Sequence, residues 1–356
     1  MRNLLSIHNS QMHQQSSIRV VYLDILRTLA TFAVIALHVY SQGDSHLVYG
    51  NYYWCLAVVG ESVAKWAVPI FLMISGTIFL NPNRAITVED LLKKRIPRLL
   101  IAYLFWWMAY SARMCILTSI KNGSLTITPS MIQPWFHLWF LPLLACVYLL
   151  IPILRKVAEN RKLTRYVLII WICYIGISFV LTSFSFKYET PQIWNLFRAD
   201  QLIGYAGYFL LGQYLSHSTL SKTQRQTTYI IGAISVLIMI WGNIVMSHLD
   251  GDINNIFMNC LSIHTILMTS ALFVWAKEYS HKIGPRIIGF MDYTRKDLFG
   301  IYLVHAMWLP IINTSSLRNL CNQAITLPLI CIAIFVLSLY TTKLIRLIPK
   351  LHKVVE

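Results

Sequence analysis

The sequence predicts an all-α membrane protein with about ten transmembrane helices, and three observations support that fold class. Of the 356 residues, 56% are apolar or aromatic and only 12% are charged, against about 25% charged residues in soluble domains. The apolar residues form runs of about 20, the length that a helix needs to cross the ~30 Å hydrocarbon core. The basic residues lie between these runs, so membrane loops explain the net charge of +16 better than nucleic-acid binding does.

Ten segments are predicted to span the membrane. They are residues 20–40, 56–80, 99–120, 139–154, 166–184, 201–215, 229–246, 256–276, 298–312 and 324–345. Residues 1–19 form a polar tail with no cleavage pattern after it, so the first apolar run is expected to be retained. Residues 20–345 form one membrane domain, and residues 346–356 form a basic tail.

The loop charges predict the orientation. Lysines and arginines outside the spans divide into 22 on the side that holds both termini and 4 on the other side. Basic loops stay in the cytoplasm. Both tails are therefore expected to be cytoplasmic.

Metal binding and transport are less well supported. The seven cysteines have no metal-ligand spacing and lie mostly within apolar segments, so no structural metal is expected. The sequence has no convincing internal repeat, which weakens the interpretation as a secondary transporter.

The first span contains ionisable groups, which are costly in a membrane and mark candidate function. Arg27 and His38 are 11 residues apart, so they return to within about 20° of one helical face, some 16 Å apart along the axis. That face offers a cation in its cytoplasmic half and an imidazole in its outer half. The alternative is that Arg27 pairs with Asp24 and that His38 satisfies a local carbonyl.

The second span carries Lys65 and Ser75. Lys65 lies one turn after Glu61, and the two can neutralise one another. Pro69 is expected to kink the helix and free a carbonyl. Ser75 and Gly76 allow either close helix packing or space for a ligand.

Arg95 and Arg98 lie one turn apart at the predicted cytoplasmic start of the third span. Two guanidiniums at this spacing suit phosphates bidentately. Ordinary positive-inside anchoring explains them equally well.

Three further aromatic or imidazole side chains are candidates for substrate contact or structural support. His137 and Trp139 open the fourth span on the outer side, where tryptophan is common. His305 lies about half-way across the ninth span, and a buried histidine bonded to a carbonyl is the default explanation for it.

Seven segments together resemble the acyltransferase-3 family of integral membrane acyltransferases, bacterial enzymes that O-acylate surface glycans. They are LDILR (23–27), ALH (36–38), VPIFLMISG (68–76), KRIPR (94–98), HLWFL (137–141), YFLLG (208–212) and GIYLVH (300–305). The segments extend over almost the whole predicted membrane domain.

The resemblance implies a bacterial inner-membrane enzyme with acetyl-CoA as donor and a lipid-linked or exported glycan hydroxyl as acceptor. It also implies an essential arginine and histidine, which map onto Arg27 and His38, and an RxxR pair, which maps onto Arg95 and Arg98. His38 is the best candidate base, because neutral imidazole matches the working pH. The alternatives are O-succinyl transfer and transport or flipping without chemistry. The oligomeric state is left open.

Overall fold

The structure is a computed structural model that describes residues 21–41, 48–125, 127–128, 131, 133–183 and 199–355. The predicted polar tail, residues 1–19, lies outside the described residues. Helices dominate the described chain, which contains no strand, so the all-α fold class is confirmed. The longer α-helices are α1 (Val21–Ser41), α2 (Tyr52–Ala64), α3 (Ala67–Phe79), α4 (Ile96–Asn122), α5 (Phe140–Leu149), α6 (Ile151–Glu159), α7 (Arg161–Ser183), α8 (Ala199–Ser216), α9 (Lys222–Asp250), α10 (Ile263–Tyr279), α11 (Pro285–Thr294), α12 (Leu298–Ile312) and α13 (Gln323–Leu347).

Each predicted span overlaps one of these helices or a broken pair of them. Within the described ranges, six helical stretches are long and apolar enough to cross a membrane, and α5 with α6, bent by 57°, is a seventh candidate. The six are Val21–Ser41, Tyr52–Phe79, Val88–Asn122, Arg161–Leu181, Lys222–Asp250 and Gln323–Leu347. The helices α8, α10 and α12 have 18, 17 and 15 residues. The count of ten spans therefore stays a prediction.

The eighth predicted span begins too early. Residues 256–262 form turns, and α10 starts only at Ile263. The reason is the Ser262 side chain, which accepts a hydrogen bond from the Thr265 amide and so caps the helix at this point.

Pro69 divides the second predicted span into α2 and α3. A proline has no N–H with which to bond the carbonyl four residues before it, and that residue is Lys65, where α2 ends. The freed Lys65 carbonyl accepts from the Cys260 thiol at 4.0 Å. The helix is interrupted one turn before the proline, because that is where the bond is lost, and the predicted kink angle stays a prediction.

Two glycines hold α3 against α8. A Cβ on Gly76 would lie 2.1 Å from the Phe209 carbonyl oxygen, and a Cβ on Gly212 would lie 2.2 Å from the Met73 carbonyl oxygen. Only glycine permits backbones to approach this closely. This contact fixes Ser75, which precedes Gly76 on α3.

The helix α1 packs against α2, α3, α10, α12 and α13. It runs in the same direction as α12: Arg27 shares a cavity with Leu298 and Tyr302, whereas His38 near the other end contacts His305. Both ends of the α1 face predicted from sequence, Arg27 and His38, therefore lie against one neighbouring helix, α12.

The start of α12 is tied to the end of α13. The buried Asp297 carboxylate accepts from Arg346 at 2.6 Å and lies 3.8 Å from the Lys343 ammonium. Beyond α13 the chain docks on α4, where the Trp106 indole donates to the Val354 carbonyl at 2.9 Å. The segment after α13 is thus packed on the helices.

Candidate active site

His38 lies in the last turn of α1 and is partly buried. Its ring stacks on that of His305, with centroids 5.3 Å apart and planes at 21°. The ring also meets Phe136 edge to face at 4.7 Å. Among the described residues the His38 nitrogens have no hydrogen-bond partner, so no local carbonyl fixes its tautomer.

His305 is fully buried in α12, and its tautomer is set by the backbone. Its Nδ1 lies 2.6 Å from the Tyr302 carbonyl oxygen, and because a carbonyl only accepts, Nδ1 carries the hydrogen. In the neutral imidazole the Nε2 atom then holds the lone pair. That atom is buried with no partner in the described chain.

His137 has the opposite tautomer. Its Nε2 lies 3.3 Å from the Leu303 carbonyl oxygen, so Nε2 carries the hydrogen and Nδ1 holds the lone pair. Nδ1 is buried and lacks a partner among the residues described. The Tyr302 hydroxyl donates to the His137 carbonyl, and the Tyr110 hydroxyl donates to the Leu303 carbonyl at 2.7 Å. These bonds lock the turn that carries His137 against α12.

The three imidazoles form one group, here called the histidine cluster (His38, His137 and His305). The rings of His137 and His305 are 5.0 Å apart in a T-shaped contact. His305 thus touches both other histidines. The sequence predicted each of them separately, and the structure brings them together.

A cavity of about 140 Å³ lies on the other side of Tyr302. Its lining includes Arg27, Phe71, Ser75, Phe140, Leu298 and Tyr302. The Arg27 guanidinium pairs with Asp24 at 3.4 Å and keeps 30% of its side chain exposed. Arg27 therefore forms the predicted ion pair and also faces the cavity. The Tyr302 ring joins the cavity to the histidine cluster, since it contacts His137 and His305 at 5.7 and 6.0 Å.

Tyr148 on α5 links the cavity to the RxxR pair. Its hydroxyl lies near the Ser75 side chain and within electrostatic range of the guanidiniums of Arg27, Arg95 and Arg98. Ser75 therefore lies near the Tyr148 hydroxyl as well as at the cavity. The structure thus connects four residues that the sequence assigned to separate roles.

Arg95 and Arg98 are exposed beside a π-helical turn, Leu91–Arg95, that precedes α4. Such turns are rare and often occur at functional sites. The neighbouring Lys93 and Lys94 are paired with Glu89 and Asp90 at 2.7 and 2.6 Å. In the described part of the chain neither arginine has a carboxylate partner, and Arg95 lies over the Phe79 ring at 5.9 Å. The arginines are thus the cations of this turn that remain available to an anion.

Lys65 and Trp139 occupy different positions around the cluster. Lys65 lies within electrostatic range of His38 and of Cys260. Its predicted neutralisation by Glu61 stays a prediction. The Trp139 side chain is 39% exposed and packs on Tyr205 at 5.7 Å, so it lies at the edge of the site.

Sequence analysis missed three site residues. Tyr302 and Tyr148 were counted only as apolar residues of their spans, although the position of Tyr302 one turn before His305 could have indicated contact. The third is Arg295, which lies within electrostatic range of Arg27. Its place just before α12 resembles that of Arg95 just before α4.

In the ranges that the structure describes, no three histidine, cysteine or acidic side chains are arranged to hold a metal ion. Two of the three histidines already direct an N–H at a backbone carbonyl. The arrangement instead suits chemistry in which neutral imidazoles accept protons or hydrogen bonds.

Comparison with known proteins is consistent with this chemistry. The family described as Acyltransferase domain, acyltransferase-3, matches residues 20–343. No curated protein and no solved structure matches the chain. The family match covers all of the candidate site, from Arg27 to His305. The chain therefore belongs to the acyltransferase-3 family and is a multi-pass membrane acyltransferase.

Proposed function

We propose that this protein moves an acetyl group from cytoplasmic acetyl-CoA to a hydroxyl of a cell-surface or lipid-linked glycan. The observation that carries the proposal is one continuous arrangement. It runs from the exposed Arg95 and Arg98, past Tyr148 and the cavity, to the histidine cluster. A donor that is anionic at one end and reactive at the other fits such a path.

The RxxR pair is the proposed site for the phosphates of CoA. Guanidinium–phosphate contacts are charge-assisted and bidentate. Lys93 and Lys94 are held by carboxylates, which leaves Arg95 and Arg98 as the cations for the nucleotide. Arg295 adds positive charge near Arg27.

The cavity is the proposed channel for the pantetheine arm. Its lining is mostly apolar, with Arg27 and Ser75 as polar groups that can bind the amides of the arm. Arg27 and His38 are about 16 Å apart along α1. An extended arm held at Arg27 would therefore bring its thioester toward the histidine cluster.

His38 is the proposed general base. It takes the proton of the acceptor hydroxyl while the hydroxyl oxygen bonds to the thioester carbonyl carbon. The tetrahedral oxyanion then collapses, the carbon–sulfur bond breaks, and the CoA thiolate takes up the proton from His38. Lys65, in electrostatic range of His38, is placed to stabilise the oxyanion. A route through an acetyl-imidazole on His38 uses the same residues.

The acceptor is proposed to be a glycan of the O-antigen, common antigen or exopolysaccharide type, modified at the outer face of a bacterial inner membrane. This proposal for the acceptor is based on the resemblance of WFHLWF (135–140) and VPIFLMISG (68–76) to the O-acetyltransferase of the enterobacterial common antigen. O-succinyl transfer would use the same site with a larger donor acyl group. Transport or flipping without chemistry would need neither unpaired arginines nor tautomer-fixed imidazoles.

The test is acetyl transfer by the purified protein in lipid nanodiscs. Labelled acetyl-CoA is added with a glycolipid extract from cells that lack this chain, and the product is examined by mass spectrometry. Labelled glycan in the wild type, and none in His38→Ala, supports the proposal. Movement of the glycolipid across the membrane of reconstituted vesicles, with no acetylated or succinylated product, would establish the transport alternative instead.

A further inference from the structure

Two buried imidazole nitrogens in the histidine cluster are held ready to accept hydrogen bonds. The Tyr302 carbonyl fixes the hydrogen of His305 on Nδ1, and the Leu303 carbonyl fixes that of His137 on Nε2. His305 Nε2 and His137 Nδ1 are therefore lone-pair atoms. Both residues are almost completely buried, at 0% and 1% exposure, and neither atom has a partner among the described residues.

Both lone pairs select for the same kind of ligand atom. A thioester, a phosphate or a carboxylate offers only acceptors and cannot bond to a nitrogen lone pair. A hydroxyl group can, because it donates one hydrogen. The rings of His137 and His305 are in contact, with centroids 5.0 Å apart, so the two lone-pair atoms belong to one cluster.

We propose that His305 Nε2 and His137 Nδ1 form a binding subsite for two hydroxyls of a sugar acceptor, with the reacting hydroxyl beside His38. This inference rests on the proposed function and assigns the acceptor a place in it. His305 stacks on His38, so a hydroxyl bound at His305 lies next to the proposed base. The Tyr302 ring lies between the subsite and the cavity of the donor arm and is in contact with both.

Amide substitutions can test the roles of the two nitrogens of each ring separately. An asparagine amide overlays the δ position of histidine, and a glutamine amide approaches the ε position. His305→Asn keeps a donor for the Tyr302 carbonyl but removes the ε acceptor, and His305→Gln does the reverse. At position 137 the order is inverted, because there Nε2 is the donor: His137→Gln keeps the carbonyl bond and His137→Asn keeps the acceptor.

The experiment measures kinetics of all four variants in nanodiscs, with labelled acetyl-CoA and a titrated glycolipid extract from cells lacking this chain. The subsite predicts that His305→Asn and His137→Gln each raise the acceptor KM about tenfold, the loss expected for one hydrogen bond. The KM for acetyl-CoA should change less than the acceptor KM, because the proposed phosphate site at Arg95 and Arg98 is untouched. The variants that keep the acceptor should be less affected in acceptor KM.

A purely structural role predicts the opposite ranking. The variants that keep the carbonyl bond, His305→Asn and His137→Gln, would then match the wild type in acceptor KM and in Tm. That result would overturn the subsite and leave buried water as the partner of both nitrogens. Failure of the proposed function is distinguishable, because in that case the wild type itself would transfer no acyl group.

Discussion

His38 and His305 stack face to face at 5.3 Å, although one ends α1 and the other lies within α12. Only His305 has its tautomer fixed by a backbone carbonyl. The stacked pair therefore combines a ring whose tautomer no backbone carbonyl fixes with a ring whose Nδ1 hydrogen is directed at one. A proton acceptor and a fixed hydrogen-bond acceptor are thus placed in contact.

Removing the imidazole of His38 is expected to abolish acyl transfer. His38→Ala deletes the proposed base from a partly buried position, and a general base contributes ~10² to 10⁴-fold to rate. Initial rates in nanodiscs measure the loss. The matched control is His281→Ala, which changes an exposed histidine outside the helical core. Near-normal turnover of His38→Ala would transfer the role of base to His137 or His305.

Lysine is not expected to replace arginine in the RxxR pair. Arg95→Lys and Arg98→Lys keep the charge but lose the planar fork, so the apparent KM for acetyl-CoA should rise. The loss of one charge-assisted bond corresponds to roughly 1.5 to 3 kcal/mol, about ten- to a hundredfold in KM. Lys93→Arg is the control, because Lys93 is already paired with Glu89. Wild-type kinetics in both variants would show that Arg95 and Arg98 serve only as membrane anchors.

A methyl group at the crossing of α3 and α8 is expected to destabilise the protein. Gly212→Ala would place its Cβ 2.2 Å from the Met73 carbonyl oxygen, and overpacking of this kind costs ~1 to 3 kcal/mol. A lower Tm in detergent would show the effect. Gly289→Ala on α11 meets no atom within 4 Å, so its Tm should be unchanged or slightly higher. Equal Tm values for the two variants would contradict the close crossing.

The ends of α9 are expected to lie on opposite sides of the membrane. The helix has 29 residues, about 43 Å at 1.5 Å per residue. Leu220→Cys and Asp250→Cys in a cysteine-free background should react with an impermeant thiol reagent from opposite sides, with position 250 outside. Labelling of both from outside intact cells would contradict the orientation predicted from loop charge.

Much of the fold could be predicted from sequence because membrane helices leave a local signal. Hydropathy located a helical segment in every predicted span, but it missed the start of α10, which a serine cap determines. The proximity of His38, His137 and His305 could not be predicted, since they belong to different elements and meet through tertiary packing. Tyr148 was missed for the same reason: a tyrosine within a span has no local mark of its proximity to Ser75 and the arginines.

The shared direction of α1 and α12 limits how the chain can be threaded through a bilayer. If both helices cross the membrane, they end on the same side of it, and α12 starts on the opposite side. The chain between the end of α1 and the start of α12 must therefore cross the membrane an odd number of times. The Asp297 contacts with Lys343 and Arg346 bring the last turns of α13 back to the end at which α1 begins. Any recount of spans between α1 and α12 must therefore add or remove them in pairs, whatever hydropathy threshold is applied to the short helices.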